Sequence, residues 1–539
     1  MKRKETALRT THCSDISSCI TSQILKSLCL CLIVASCSGV NKRGEKSDEA
    51  VVLPAIAEEV LDNRDSYYYI NTDAYRGNDR GAPVGIFDSG TGGLTILEAI
   101  LSVDEYDNLT RMPGSDGLPD LSKEWFIYLA DQANMPYGNY SAEGNNSLLV
   151  EHIIKDVHFL MSDKYYPDEY SILRSTGKEP AKTIVVACNT ATAYGMPYIN
   201  EFIRRSGTGI GVIGVIDAGV RGALQLFNDN ESGSIGVLAT VGTIASGGYE
   251  NTIRKMIIDT GHNKEIQIFN QAGQGMAEAV DGERDFIDKS LDKPRSGYRG
   301  PSLTENPFKI EKSLMAAYNF NFEKNNMLYD SENPNDCSTL QINNPDNYMR
   351  FHIVSLLETM RNTDGALPLK VIILGCTHYP YLTNTIKTVL GELYNYRQDG
   401  EYRYRPVMSP EIHLIDPSVN VAIELFNHLT DSRLYAEETP TATSEFYISV
   451  PNSSNPNIVL DENKRFTYEY KYGRTEGANQ VYIKEVPFSR SNISDDTFER
   501  LATLTPYSFG EIVRFHHENG KSVFIADSLK LKERAFVRY

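Results

Sequence analysis

No two cysteines in this sequence stand in a CxxC pair, and beyond residue 37 only Cys188, Cys337 and Cys376 remain. That excludes a paired-cysteine zinc site and a disulfide framework, and no other metal-ligand pattern stands out. Basic excess is absent too. The formal net charge is -18, so no overall positive field draws nucleic-acid phosphate; a local pocket remains free to take a small anionic substrate. Apolar runs are short. Ser27-Leu28-Cys29-Leu30-Cys31-Leu32-Ile33-Val34 falls far below the ~20 residues of a spanning helix. The glycine-rich turn Asp88-Ser89-Gly90-Thr91-Gly92-Gly93-Leu94 lacks the Lys-Ser/Thr of a P-loop and misses the GxGxxG spacing. Its aspartate repels phosphate and suits an ammonium group better. What is present is an ordinary globular composition, 41% hydrophobic and 23% charged over 539 residues, enough for roughly two to four domains.

At the N-terminus, Lys2, Arg3, Lys4, Arg9 and Lys26 precede the short apolar stretch, and Val34-Ala35-Ser36-Cys37 follows it. Small residues before a cysteine, after an apolar core, resemble a bacterial lipoprotein box with Cys37 as the lipidated residue. The expectation is a signal segment over 1–37 and a tether over 38–82. The mature body would be held at the membrane, in the cell envelope or periplasm, by acyl chains alone. A cytoplasmic protein is the alternative.

From residue 83 strands and helices alternate. Apolar, β-branched runs predict strands at 83–87, 125–130, 183–187, 211–217, 234–240, 266–269, 371–375 and 412–416. Helical spacing predicts helices at 94–100, 148–161, 191–202, 348–361, 385–393 and 421–429. Such alternation means βα units and parallel sheets, whose sites form outside the carboxyl ends of the strands. Asp88, Tyr137, Cys188, Thr240 and Cys376 all stand at or just beyond such ends. Residues about 283–345 are polar, with several prolines and asparagines, and predict a surface insertion. From about 440 the character changes. Pieces at 445–450, 480–483 and 522–525 are β-type, and 440–539 reads as an extension of unknown role without chemistry of its own.

Two stretches share one shape: Thr183-Ile184-Val185-Val186-Ala187-Cys188-Asn189-Thr190 and Val371-Ile372-Ile373-Leu374-Gly375-Cys376-Thr377-His378-Tyr379-Pro380. Each ends a buried strand in one cysteine followed by small polar residues and then a helix. A single cysteine there is most simply a small buried hydrophobe. Two at equivalent positions point instead to a matched pair. A helix N-terminus and nearby charges lower a thiol pKa from ~8.5 into a useful range. Two such groups on opposite faces of one carbon would remove a proton on one side and return one on the other, inverting it without a cofactor. The competing reading is a Cys376–His378 nucleophile, since residues two apart on an extended strand share a face. It leaves Cys188 without a role.

The stretches Gly85-Ile86-Phe87-Asp88-Ser89-Gly90-Thr91-Gly92-Gly93-Leu94, Pro136-Tyr137-Gly138, Ala187-Cys188-Asn189-Thr190-Ala191 and Gly375-Cys376-Thr377-His378-Tyr379-Pro380 resemble, in the same order, those of bacterial glutamate racemases, in the aspartate/glutamate racemase superfamily. The match spans roughly residues 84–430, outside the leader, the insertion and the extension. The resemblance implies an α/β fold of two pseudo-symmetric parallel-sheet domains with the site in the cleft between them. One would hold 84–212 plus 376–430, the other 213–375. It implies a small acidic amino acid as substrate, no cofactor, room for a homodimer, and D-glutamate for peptidoglycan as the product. Cys188 would exchange the proton on the D-glutamate side and Cys376 on the L-glutamate side. Asp88 and His378 would assist them. Asp88 and Ser89 match positions at the ammonium group; Asn189, Thr190, Thr377 and His378 match substrate-binding positions; Tyr137 and Gly138 match the loop receiving the side-chain carboxylate. After Ile268-Phe269, Asn270-Gln271-Ala272-Gly273-Gln274-Gly275 replaces the family's Ala-Cys-Pro stretch. Its following glutamate has two candidate substitutes, Glu278 and Asp281. The alternative function is an inactive racemase fold that binds an amino acid or cell-wall fragment at the envelope.

Overall fold

The computed structural model describes residues 51–75, 79–228, 231–261, 265–477 and 480–532. The signal segment, Cys37 and the first part of the tether lie outside the described residues. The strands of the two main sheets are β1 (Val84–Asp88), β2 (Phe126–Ala130), β3 (Thr183–Val186), β4 (Gly211–Gly214), β5 (Gly233–Ala239), β6 (Ile266–Ala272), β7 (Leu369–Gly375), β8 (Met408–Ile415), β9 (Glu445–Pro451) and β10 (Ile483–Pro487). The helices that matter here are α1 (Ile56–Leu61), α2 (Leu94–Ser102), α3 (Asn146–Met161), α4 (Asn189–Ser206), α5 (Val215–Leu224), α6 (Gly248–Thr260), α7 (Met276–Asp281), α8 (Pro345–Arg361), α9 (Thr383–Asn395), α10 (Pro417–Asp431), α11 (Asp495–Leu504) and α12 (Pro506–Glu518).

The first sheet runs β10-β9-β2-β1-β3-β4 and the second β8-β7-β5-β6. Every pairing in them is parallel except β9 with β10. Strands β1, β2, β3 and β5 are buried along their whole length. Continuous apolar runs are what parallel strands need when helices cover both faces. Register then collects the strand ends. Ile86 pairs with Tyr128 and with Val185, which brings Asp88 and Cys188 to one rim. Gly375 pairs with Ala239, and Ala239 with Ala272, which brings Cys376 and Thr240 to the rim of the other sheet.

A shared helical layer joins the two lobes. In α10 the residues Val421, Ala422, Leu425, Phe426 and Leu429 are buried on one face, the spacing of an amphipathic helix. That face packs against α2 of the first lobe and α5, in one apolar cluster reaching both sheets. Asp416 caps α10, its carboxylate accepting the Ser418 N–H at 2.9 Å.

Several expectations change. The strand expected at 412–416 pairs with β7 in the second sheet, and α9 packs on α8, so of 376–430 only α10 returns to the first lobe. The 283–345 segment is no surface excursion. Phe286, Ile310, Tyr318, Phe320 and Ile342 are buried in the same cluster as Leu374 and Tyr379. Its asparagines misled by polarity: Asn343 Nδ2 donates to the carbonyls of Asp288 at 3.0 Å and Asn325 at 2.9 Å, and Asn347 of α8 donates to that of Asn321 at 2.8 Å, so buried amides hold irregular backbone in place. The extension is not an appendage, because β9 pairs with β2 and completes the first sheet. Residues expected as a strand at 522–525 fall mostly in a 3-10 turn, Gly520–Phe524. The tether ends earlier than 82: Ile56, Ala57 and Val60 of α1 are buried and pack on α3.

One buried ion pair ties the start of the first lobe to its end. Lys182 Nζ lies 2.6 Å from Glu124 Oε2, with side-chain exposures of 0% and 1%. It also donates to the carbonyls of Arg80 and Leu434, while Glu124 accepts the Ala436 N–H. Removing one partner leaves the other charge buried and unpaired. Lys182→Met is therefore expected to cost about 3–5 kcal/mol, read from the urea midpoint; a loss below 1 kcal/mol would contradict a paired, desolvated role.

Candidate active site

The glycine turn after β1 is compact because it threads between side chains of both lobes. A Cβ on Gly92 would lie 2.6 Å from Thr377 Oγ1, 3.1 Å from His378 Cε1 and 3.5 Å from Asp88 Oδ2. No side chain fits there. Asp88 and the Thr377–His378 pair thus converge on one point from opposite sheets. The Asp88 carboxylate accepts the Gly93 N–H at 2.8 Å, and Tyr128 donates its hydroxyl hydrogen to the Gly90 carbonyl at 2.7 Å, which fixes the turn. Burial raises the Asp88 carboxyl above its ordinary range against the opposing pull of Gly93 N–H and His378.

Cys188 caps α4, its sulfur accepting the Ala191 N–H at 3.4 Å. Ser89 Oγ lies 3.6 Å from the same sulfur. Burial, and then the Asp88 charge, push this thiol up to about 12. Cys376, just past β7, lies with its sulfur 3.6 Å from His378 Nδ1. On the far side of the ring, His378 Nε2 is 3.1 Å from Asp281 Oδ2. Burial alone would pull this imidazole down, but Asp281 outweighs it and holds His378 well above the ordinary histidine range, as a cation. Burial pushes the Asp281 carboxyl up; His378 and then Arg500 outweigh it and leave it below the ordinary carboxylate range. Arg500 Nη1 stands 2.8 Å from Asp281 Oδ1, an ion pair whose N–H is not aimed for a straight hydrogen bond. Cys188 and Cys376 are both free and buried. One has a carboxylate beside it, the other an imidazolium.

Not every expected site residue meets them in the same way. Asn189 and Thr190 lie at the cleft but are engaged by the second lobe: Tyr249 donates to Asn189 Oδ1 at 2.6 Å, and Thr190 Oγ1 lies 3.3 Å from Thr243 Oγ1. The Tyr137 side chain turns away. It is 1% exposed, and its hydroxyl faces both Asp131 and Asp156 at 2.6 Å. Backbone of that loop still meets the other lobe, since a Cβ on Gly242 would fall 2.6 Å from Gly138 Cα. Of Glu278 and Asp281, it is Asp281 that makes the contact with His378. Arg500, Tyr249 and Thr243 were not singled out in the sequence. Arg500 carries no local signal, because it comes from the extension and meets the site only through the fold. A crevice of about 10 Å³ between the lobes is lined by residues including Asn189, Cys376, Thr377 and Asp416. Among the described residues no His/Cys/Asp/Glu group could hold a metal ion.

No family model matches the chain. A curated relative, glutamate racemase of Lactobacillus johnsonii, is 26% identical over 366 residues, 68% of this chain and 87% of its own. That of Oceanobacillus iheyensis is 24% identical over 381 residues, 70% of this chain and 98% of its own. Along about two thirds of its length the chain is similar to glutamate racemases. A shorter stretch of 177 residues is 33% identical to the Picosynechococcus glutamate racemase, covering 33% of this chain and 47% of that one. Among solved structures, a Bacillus anthracis glutamate racemase isoform aligns with 68% of this chain and 88% of its own at 23% identity and TM-score 0.39. The Francisella tularensis glutamate racemase in complex with D-glutamate aligns with 74% and 96% at 18% identity and TM-score 0.37.

The His378–Asp281 pair sets a pH window. The raised histidine contributes stability in full below its unfolded value of about 6.5 and loses it as pH rises through the folded value. The lowered carboxyl contributes in full above its unfolded value of 3.8 and loses it as pH falls through the folded value. Asp281→Asn removes the carboxylate and leaves the burial. NMR titration of the His378 ring is expected to show its pKa dropping below 6.5; a ring still cationic at pH 8 in that variant would contradict the pairing.

Proposed function

We propose that this chain interconverts L- and D-glutamate without a cofactor, by two-base proton transfer between the substrate α-carbon and the thiols of Cys188 and Cys376. The observation that carries the reading is the asymmetric pair of sulfurs at two facing strand ends. Cys188 keeps its proton at neutral pH, with a carboxylate that burial has made more basic beside it. Cys376 has a cationic imidazole at 3.6 Å. A pair that racemises must hold one proton donor and one acceptor at once, and exchange those roles on turnover.

In the L-to-D direction, Cys376 as thiolate takes the α-proton and Cys188 delivers its proton to the opposite face. In the reverse direction Cys188 first yields its proton to Asp88. His378, held as the imidazolium, gives Cys376 the proton that makes it the donor in that direction, and it regains a proton from Asp88 through solvent once the α-carbon has inverted. Ser89, Asn189, Thr190 and Thr377 present small hydroxyl and amide groups for the α-carboxylate and amine. The Gly138 backbone, rather than the Tyr137 ring, serves the side-chain carboxylate. A crevice of about 10 Å³ holds no amino acid, so the lobes part to admit one. The same proposal places the protein at the cell envelope, lipidated at Cys37, with D-glutamate serving peptidoglycan. Radiolabelled palmitate should enter the wild-type chain and not Cys37→Ser.

Circular dichroism of the pure, reduced protein should show the optical signal of either glutamate enantiomer decay towards zero. Cys188→Ala and Cys376→Ala are each expected to slow that decay by about 10²–10⁴-fold. A folded protein that leaves every acidic amino acid optically unchanged would sink the proposal. Cys188→Ala with near-wild-type turnover would transfer it to a Cys376–His378 nucleophile.

A further inference from the structure

Arg500 reaches the Asp281 carboxylate from a part of the chain outside the family match. It sits on α11 of the extension, beside Phe498 and Leu501, which are buried. Helix α11 packs on α12, and α12 on α2. At that junction the Ser508 and Tyr507 N–H groups bond the Glu98 carboxylate at 2.8 and 3.1 Å, and Ser508 Oγ donates to the Leu94 carbonyl at 3.1 Å. Leu94 begins the helix that follows the Asp88 turn. Arg500 is thus carried on the first lobe, whereas Asp281 ends α7, just beyond β6 of the second lobe.

The environment of Asp281 makes the cation necessary. Two further carboxylates stand near it, Glu278 on the same helix and Glu283 just beyond, each raised by burial and by repulsion from this acidic group. Tyr381 faces the same ion pair, and Asp88 faces His378 from the first lobe. Two of the three carboxylates are at least partly relieved by His378. Without Arg500, Asp281 would have only the imidazolium to balance its charge, and its free oxygen would be drawn towards water. The ring it orients would lose its fixed angle to the Cys376 sulfur.

We propose that Arg500 is a positioning residue that spans the cleft: by pinning Asp281 it sets His378 on the Cys376 thiol, and it does so only when the lobes are closed. The extension then completes the acid/base machinery instead of decorating it. Opening to admit substrate breaks the Arg500–Asp281 contact and releases the relay; closing restores both together. The role in turnover rests on the racemase reading, but the closing contact does not.

Two measurements on Arg500→Ala and Arg500→Lys of the full chain separate these levels. The first is alkylation by iodoacetamide, followed by mass spectrometry of each cysteine peptide. All three cysteines of the described body are buried, but Cys337 lines a separate cavity of the second lobe, with Lys312, Met315 and Pro334. In Arg500→Ala, Cys188 and Cys376 should react about fivefold faster or more, with Cys337 unchanged; Arg500→Lys should restore the slow rates. Equal acceleration of all three, or of none, would overturn the proposal, the former because it reports general loosening. The second is racemisation. In Arg500→Ala, kcat should fall about 10–100-fold with KM moving less than about threefold, and lysine should recover most of it. A wild-type chain without racemase activity overturns the proposed function, and the alkylation pattern alone then decides the closing contact. Arg500→Ala with full kcat in an active enzyme overturns the positioning role.

Discussion

The imidazolium of His378 sits largely out of water, 3.1 Å from the Asp281 carboxylate that keeps it charged. Desolvation alone would neutralise it. Much of the arrangement of the second lobe serves this one contact. β6 must end where α7 can swing Asp281 under the ring, and β7 must end where Cys376 and His378 share a rim with it. The glycine at 92 must leave room for the ring on the other side. On the first lobe the charge logic is reversed, because a carboxylate rather than a cation stands beside Cys188. Two chemically identical side chains thereby face oppositely charged neighbours.

The parts of this architecture that repeat locally were readable from sequence. Branched apolar runs ending in Asp88, Cys188 and Cys376 mark strands and their rims, because a parallel strand buried on both faces has little choice of composition. The helices behind them follow from their apolar spacing, and the short polar sequences at the rims point to chemistry. The parts that depend on distant partners were hidden. β8 has the same composition whichever sheet it joins, so its place beside β7 could not be decided from its residues. The 283–345 segment looks like a loop since its backbone is held by buried asparagine amides, and asparagine reads as surface. Arg500 is one arginine on an amphipathic helix, where a solvated residue is the ordinary expectation. Tyr137 failed differently: the loop is at the site, but the ring is claimed by Asp131 and Asp156 beneath it.

That buried cluster also shows how closely the extension is built into the first lobe. Asp131 accepts the Ser449 hydroxyl at 2.6 Å, Lys155 lies 3.0 Å from the Tyr482 hydroxyl, and Glu151 accepts the Gly477 N–H at 2.8 Å. Each bond runs from the family-like body to the extension. Polar groups so deep are tolerated only when partnered, and here the partners come from the last hundred or so residues. The extension therefore supplies a share of the first lobe's interior as well as a cation at the cleft.

The pairing of β9 with β2 has a consequence for how the molecule comes into being. The Phe126 N–H and the Ser444 hydroxyl that meets it are 318 positions apart in the chain. During synthesis the edge of β2 emerges long before the strand that covers it, and an uncovered parallel edge invites pairing with other chains. The first lobe cannot finish assembling until β9 has been made. The order in which its parts are made is therefore not the order in which they become stable, and β2 depends on the much later β9 for protection.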